Sequence, residues 1–127
     1  MTDQTIALAM VEFGRICLGG LFVVAGTRHF FEQDGLTAAM RAAGVPLPRI
    51  TLLAGSAFQI VAGALLMADL FTVAAASGLV AFTIAATLIF LRYWRMPSGA
   101  ERERALNGLL SNIGVIGGLL IAAGISA

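Results

Sequence analysis

The residues whose side chains are most able to bind or react interrupt apolar stretches of the sequence. Glu12 and Arg15 break an apolar run that starts at Ile6, and Arg28 and His29 close it. A guanidinium binds carboxylates or phosphates, and an imidazole can donate a hydrogen bond to a quinone or a lipid headgroup. An arginine at the centre of a bilayer costs at least about 2.5 kcal/mol. The surrounding elements must therefore supply it with partners.

The composition predicts a membrane protein that forms one domain over residues 1–127. Hydrophobic residues make up 59% of the chain and charged residues 12%, whereas soluble domains carry roughly 25% charged residues. A small soluble domain has a large surface relative to its volume and needs more polar groups than this. The net charge is +1, and without a basic patch we expect no nucleic-acid partner.

Cysteine and histidine counts limit the chemistry further. With one Cys17 and one His29, the chain alone cannot build a thiolate cluster, a zinc site or a haem held by two histidines. We therefore expect no metal site and no covalent cofactor. Any redox cofactor would be a non-covalently bound organic molecule or would belong to a partner.

Four apolar runs predict an all-α fold, a four-helix transmembrane bundle. A spanning helix needs about 20 mainly apolar residues, and these runs lack the alternation of strands. The first run also lacks the basic start of a signal peptide, so we expect it to be retained. The predicted spans cover residues 6–27, 50–68, 71–91 and 105–125.

The first linker is predicted to contain a short helix over residues 36–43. Gly44 is placed to end it, and Pro46 and Pro48 block its continuation. Its apolar positions fall on one face, which is typical of a helix that lies in the membrane interface or over the mouth of a bundle. A plain connector with incidental helicity is the alternative.

Arginine placement predicts the orientation of the chain. The arginines other than Arg15 lie in or beside the two long linkers, and the chain has no lysine. Basic residues are enriched in cytoplasmic loops. We therefore expect both long linkers in the cytoplasm and both termini on the outer side.

Polar residues near the middle of each predicted span suggest one intramembrane cluster. Counted from the cytoplasmic ends at about 1.5 Å per residue, their depths agree within roughly 10 Å. Glu12 lies three residues from Arg15 on the same helical face. Such a cluster either fixes helix register or lines a cavity for a headgroup or small molecule. The candidate residues are Glu12, Arg15, Gln59, Thr83 and Asn112.

A second set of candidates lies at the predicted cytoplasmic boundary. Arg28 and His29 close the first span, and Tyr93 and Trp94 follow the third. Aromatic and arginine side chains at this depth are common interface anchors. The alternative is a headgroup site, in which His29 and an arginine donate to a quinone carbonyl or a lipid phosphate.

Several of these stretches resemble the DoxX family. "GRICLGGLFVVAGTRHFF" is similar to its first-helix signature, and "LTAAMRAAGVPLP" to its short amphipathic segment. "ATLIFLRYW" and "SNIGVIGGLLI" resemble its third-helix end and its fourth-helix Asn-plus-glycines motif. By position, Arg15, His29 and Asn112 match the family pattern. The resemblance implies a four-helix protein of the bacterial inner membrane.

The resemblance also implies a function, although this sequence departs from the family pattern at two positions. The family is named for a small subunit linked to a terminal quinol oxidase, and most members lack a defined activity. Many relatives carry Glu where Gln59 stands and His where Leu91 stands, and losing both weakens a proton-relay or redox role. We expect an accessory subunit, not an enzyme on its own, that contacts membrane lipid and other membrane subunits. A quinone- or lipid-binding oxidoreductase component is the alternative, and a small transporter ranks last.

Overall fold

The computed structural model describes residues 2–127, and this part of the chain contains helices and no strand. Four helices are long and apolar enough to cross a membrane, which confirms the predicted fold class. A turn of 3-10 helix at Tyr93–Arg95 follows the third of them. The helices are α1 (Asp3–Phe31), α2 (Gln33–Ala42), α3 (Pro48–Ala68), α4 (Thr72–Phe90) and α5 (Ala100–Ser126).

Local signals define the helix ends. The hydroxyl of Thr2 accepts a hydrogen bond from the amide of Thr5 and caps α1, while Pro48 opens α3. Glycine-type backbone conformations occur at the turns: Gly44 ends the α2 segment with φ 83°, and Asp69 and Phe71 adopt positive φ between α3 and α4. This compact turn makes α3 and α4 an antiparallel hairpin.

The four long helices fall into two classes by length. At about 1.5 Å per residue, α3 and α4 are roughly 32 and 28 Å long, which matches a hydrocarbon core of about 30 Å. By the same measure α1 and α5 reach about 44 and 40 Å. Both therefore extend past the predicted spans and past the hairpin.

The helix predicted in the first linker is present, but it begins earlier than expected, at Gln33. Thr37 and Met40 are its buried residues, and it packs on α3 and α4. Arg49, at the start of α3, donates to Gln33 at 3.0 Å and to Asp34 at 3.2 Å. These bonds join the start of α2 to the start of α3. The interfacial position of α2 stays a prediction.

Glycines bring α1 and α3 into the closest contact of the bundle. A Cβ at Gly63 would stand 2.6 Å from the carbonyl oxygen of Gly19, and one at Gly26 would stand 2.8 Å from that of Ser56. Such backbone approach needs small residues. The second close pair is α4 with α5. Leu66, Leu79 and Leu119 are fully buried in the core that joins the two pairs.

The outer surface of the bundle is apolar. Large hydrophobic side chains are exposed along every long helix, among them Leu8, Phe13, Val61, Ile84 and Ile121. A soluble monomer rarely exposes so continuous an apolar surface. Lipid or another membrane protein must cover it.

Candidate functional site

Arg15 lies at the end of the α3–α4 hairpin. Its Nε donates to the carbonyl oxygen of Leu66 at 3.3 Å and stands 3.8 Å from Oδ1 of Asp69. Its side chain is 12% exposed and that of Asp69 is 51% exposed. The pair is therefore partly screened by solvent and holds α1 against the turn.

This position differs from the sequence expectation, which placed Arg15 in one intramembrane cluster near the middle of the bilayer. Gln59 lies ten residues before Asp69 on α3, or about 15 Å along the helix axis. Arg15 thus does not reach the Gln59 level. Helical side chains lean toward the N-terminus of their helix, so Arg15 reaches toward the start of α1, where the turn lies. Glu12 is exposed and lines a cavity together with Arg15 and Asp69.

Gln59 pairs with His29. Its side-chain oxygen lies 2.9 Å from Nδ1 of His29, and Gln59 is 3% exposed. Because an amide oxygen only accepts, Nδ1 is the donor, which leaves Nε2 of the neutral ring as an acceptor. Ser56, three residues before Gln59, is buried, and its Oγ has no partner among residues 2–127.

Asn112 joins α5 to α4. Its amide nitrogen donates to the hydroxyl of Thr87 at 2.9 Å. Thr87 donates to the carbonyl oxygen of Thr83, and Thr83 to that of Leu79, both at 2.7 Å. These bonds satisfy buried hydroxyls within one helix and anchor Asn112 to them. The five clustered candidates therefore occupy three separate places: the hairpin end, the α1–α3 contact and the α4–α5 contact.

The boundary candidates also separate. Arg28 is exposed and pairs with Glu32 one turn later, at 3.4 Å. The Tyr93 and Trp94 rings meet edge to face with centroids 5.5 Å apart, and the Arg102 guanidinium lies 5.7 Å from the Tyr93 centroid. His29 instead turns inward to Gln59. The structure thus records no contact that joins His29 to these aromatic residues.

Some polar groups were not singled out by the sequence. Asp69, Thr87 and Ser56 are not among the sequence candidates. Asp69 lies in a turn, and Thr87 and Ser56 are single hydroxyl residues within apolar stretches. No spacing rule pairs residues on different helices, so these contacts depend on the register set by Gly19 and Gly63. No group of three metal-ligating side chains lies together within residues 2–127.

Residues 10–92 match the sequence profile of the DoxX family. This segment covers well over half of the 127-residue chain. The chain belongs to the DoxX family. This DoxX protein is accordingly a multi-pass membrane protein, and Arg15, His29 and Gln59 lie inside the matched segment. Asn112 and the rest of α5 lie outside it.

Neither a curated protein nor a solved structure matches this DoxX chain at a significant level. Its finer function must therefore be argued from its own residues.

Proposed function

We propose that this DoxX protein is an accessory subunit of a larger membrane complex, with the redox or quinone link that the family resemblance implies. The observation that carries the proposal is an uncovered glycine face on α5. Around Gly114, Gly117 and Gly124, no neighbouring atom of residues 2–127 lies within 4 Å of where a Cβ would stand. Gly108 and Gly118 instead pack against Leu91 and Leu18.

The uncovered face has the shape of a helix-docking surface. Leu110, Ile113 and Ile121 flank the glycines and are more than half exposed. Lipid does not drive helices together by hydrophobicity, so close backbone approach at small residues supplies much of the attraction. A face with glycines in its centre and large side chains beside it suits a helix of another membrane protein.

Co-isolation from native membranes in mild detergent tests this proposal. We expect a stoichiometric partner with the tagged wild-type chain. We expect its yield to fall at least about tenfold when Gly114 and Gly117 are both replaced by leucine, because loss of about 1.4 kcal/mol of packing weakens binding tenfold. The matched control is Gly20→Leu, since a Cβ at Gly20 also meets no neighbour. A wild-type chain that isolates alone, or equal partner loss in the control, would contradict the proposal.

The pair formed by His29 and Gln59 favours a second candidate, a quinone-binding component. The free Nε2 of His29 can accept a hydrogen bond from a quinol hydroxyl, and the unpartnered Ser56 hydroxyl leaves further polar capacity nearby. Buried polar groups without partners are uncommon in proteins. This combination supports a ligand that carries both donors and acceptors.

Mass spectrometry of the purified chain tests the quinone candidate. We expect a retained quinol in the wild type, detected as quinol or as the quinone formed by its oxidation, and its loss in His29→Leu, because Nε2 of the imidazole accepts from the quinol hydroxyl. Arg41→Gln is the control, since Arg41 is exposed on α2 and belongs to neither set of candidate residues. Equal quinone content in all three proteins would argue against a site at His29.

The proposed orientation places the 28–49 and 92–104 segments in the cytoplasm and both termini outside, in a bacterial inner membrane. Single cysteines at positions 3 and 100, in a chain with Cys17 replaced by alanine, provide the test. We expect a membrane-impermeant maleimide added to intact spheroplasts to label position 3, and to label position 100 only after lysis. The positive-inside rule supports this result, and protection of position 3 in intact spheroplasts would reverse the orientation.

A further inference from the structure

A cavity of about 400 Å³ opens where α1 and α5 extend past the α3–α4 hairpin. The hairpin ends at the level of Arg15, which leaves roughly 18 Å of α1 beyond it. The last turn of α5 faces this part of α1. The cavity has charged and apolar sides, formed mainly by Glu12, Arg15, Asp69, Leu8, Val11 and Ile125.

Arg15 gives the cavity an anion-binding group. Its Nε is directed to Leu66 and Asp69, whereas its two terminal nitrogens make no hydrogen bond within residues 2–127. Both belong to a side chain that lines the cavity. Paired guanidinium N–H groups match the oxygens of a phosphate.

Two carboxylates give the same cavity a cation-binding side. Oδ1 of Asp69 accepts from Thr72 at 2.5 Å, and half of the Asp69 side chain stays exposed. Glu12 lies one helical turn before Arg15 and forms no ion pair with a described residue. A simple anion would meet two negative charges here, and a simple cation would meet the guanidinium.

A zwitterion that carries a phosphate and a primary ammonium satisfies both sides. Its phosphate would face Arg15, and its ammonium N–H groups would donate to Glu12 and Asp69. The trimethylammonium group of choline has no N–H and cannot donate a hydrogen bond to either carboxylate. A glycerol headgroup carries no positive charge. A serine headgroup has the ammonium but adds a carboxylate, which Glu12 and Asp69 would repel. Among the common headgroups, ethanolamine therefore supplies ammonium N–H donors without a further negative charge.

The apolar surface beside the cavity indicates a lipid source. From Arg15 toward the centre of the bundle, the exposed side chains of α1 and α5 are mainly apolar, among them Ile16, Leu21 and Ile113. These two helices touch over a short stretch that includes Leu18 and Gly118. Acyl chains can lie along this seam while the headgroup occupies the charged end.

We propose that this cavity binds the phosphoethanolamine headgroup of an aminophospholipid. The site lies at the opposite end of α1 from His29 and does not depend on the uncovered glycine face of α5. Its test uses the isolated chain, so its failure would leave the subunit proposal standing, and the reverse also holds.

Native mass spectrometry with phosphatidylethanolamine, phosphatidylcholine and phosphatidylglycerol of identical acyl chains tests the proposal. We expect phosphatidylethanolamine to bind at least about tenfold more tightly than the other two, because one charge-assisted hydrogen bond has roughly that effect. Soluble phosphoethanolamine is the fourth probe. Binding as tight as that of the lipid would support the same headgroup chemistry with a soluble source.

Variants assign the two sides of the site. Glu12→Gln, at an exposed position, should reduce the preference for ethanolamine over choline while the fold is unchanged. Arg15→Gln should weaken all phosphate headgroups, and circular dichroism checks that it still folds. Arg41→Gln, at an exposed position of α2, is the control and should bind like wild type. Equal wild-type affinity for ethanolamine and choline lipids, tightest binding of phosphatidylglycerol, or an unchanged preference in Glu12→Gln would overturn the proposal.

Discussion

Replacing Gly19 with alanine is expected to destabilise the folded bundle by about 3 kcal/mol, at the upper end of typical overpacking effects. A Cβ at this position would overlap the carbonyl oxygen of Gly63 and stand 2.5 Å from Cγ of Met67. The backbone atom cannot rotate away, so α1 and α3 must separate. The free energy of unfolding, measured by titration with sodium dodecyl sulfate in mixed micelles, checks the prediction.

The neighbouring glycine provides the control. A Cβ at Gly20 meets no atom within 4 Å, so Gly20→Ala should change the free energy of unfolding by less than about 1 kcal/mol. Both variants alter one hydrogen to a methyl group on the same helix. Equal destabilisation by the two substitutions would mean that α1 and α3 do not cross at Gly19 and Gly63.

Replacing Leu79 with alanine is the second prediction with a large effect. Leu79 is 0% exposed in the core between the helix pairs, and deletion of a buried leucine side chain commonly costs about 2–5 kcal/mol. We expect about 2–3 kcal/mol here, because the side chain exchanges protein contacts for lipid or detergent contacts instead of water. The same detergent titration measures it.

Leu88→Ala on the same helix is the matched substitution. Leu88 is 50% exposed at the bundle surface, so its truncation leaves no internal cavity and should cost less than about 1 kcal/mol. If Leu88→Ala proved as harmful as Leu79→Ala, α4 would be rotated about its axis relative to the structure, or a partner would cover Leu88 under the conditions used.

The fold was predictable from the sequence because only helices and closed β-barrels can span a bilayer. Length and apolar content were enough for four spanning helices, and Gly44 with two prolines indicated where the linker helix ends. The acidic residues Glu101 and Glu103 favour the first turn of a helix opened at Ser98 or Gly99, and α5 begins there, at Ala100. The start of α1 was missed, because Asp3 lies before the predicted span although an acidic residue in a first turn also stabilises a helix.

The candidate sites were less predictable because their partners lie on other helices. Spacing within α1 suggested Glu12 as the neighbour of Arg15, yet the guanidinium reaches Asp69, more than 50 residues later. His29 read as a boundary residue, but its side chain leans back along α1 and meets Gln59. Both outcomes follow from the direction of helical side chains and from a register that only the glycine contacts define.

The contact between Arg15 and Asp69 has a consequence for biosynthesis. The ribosome adds about 5–20 residues per second, so Asp69 is synthesised roughly 3–11 seconds after Arg15. During that interval the hairpin that receives Arg15 has not been made. Water and lipid phosphates at the membrane surface are then the groups that can solvate its guanidinium.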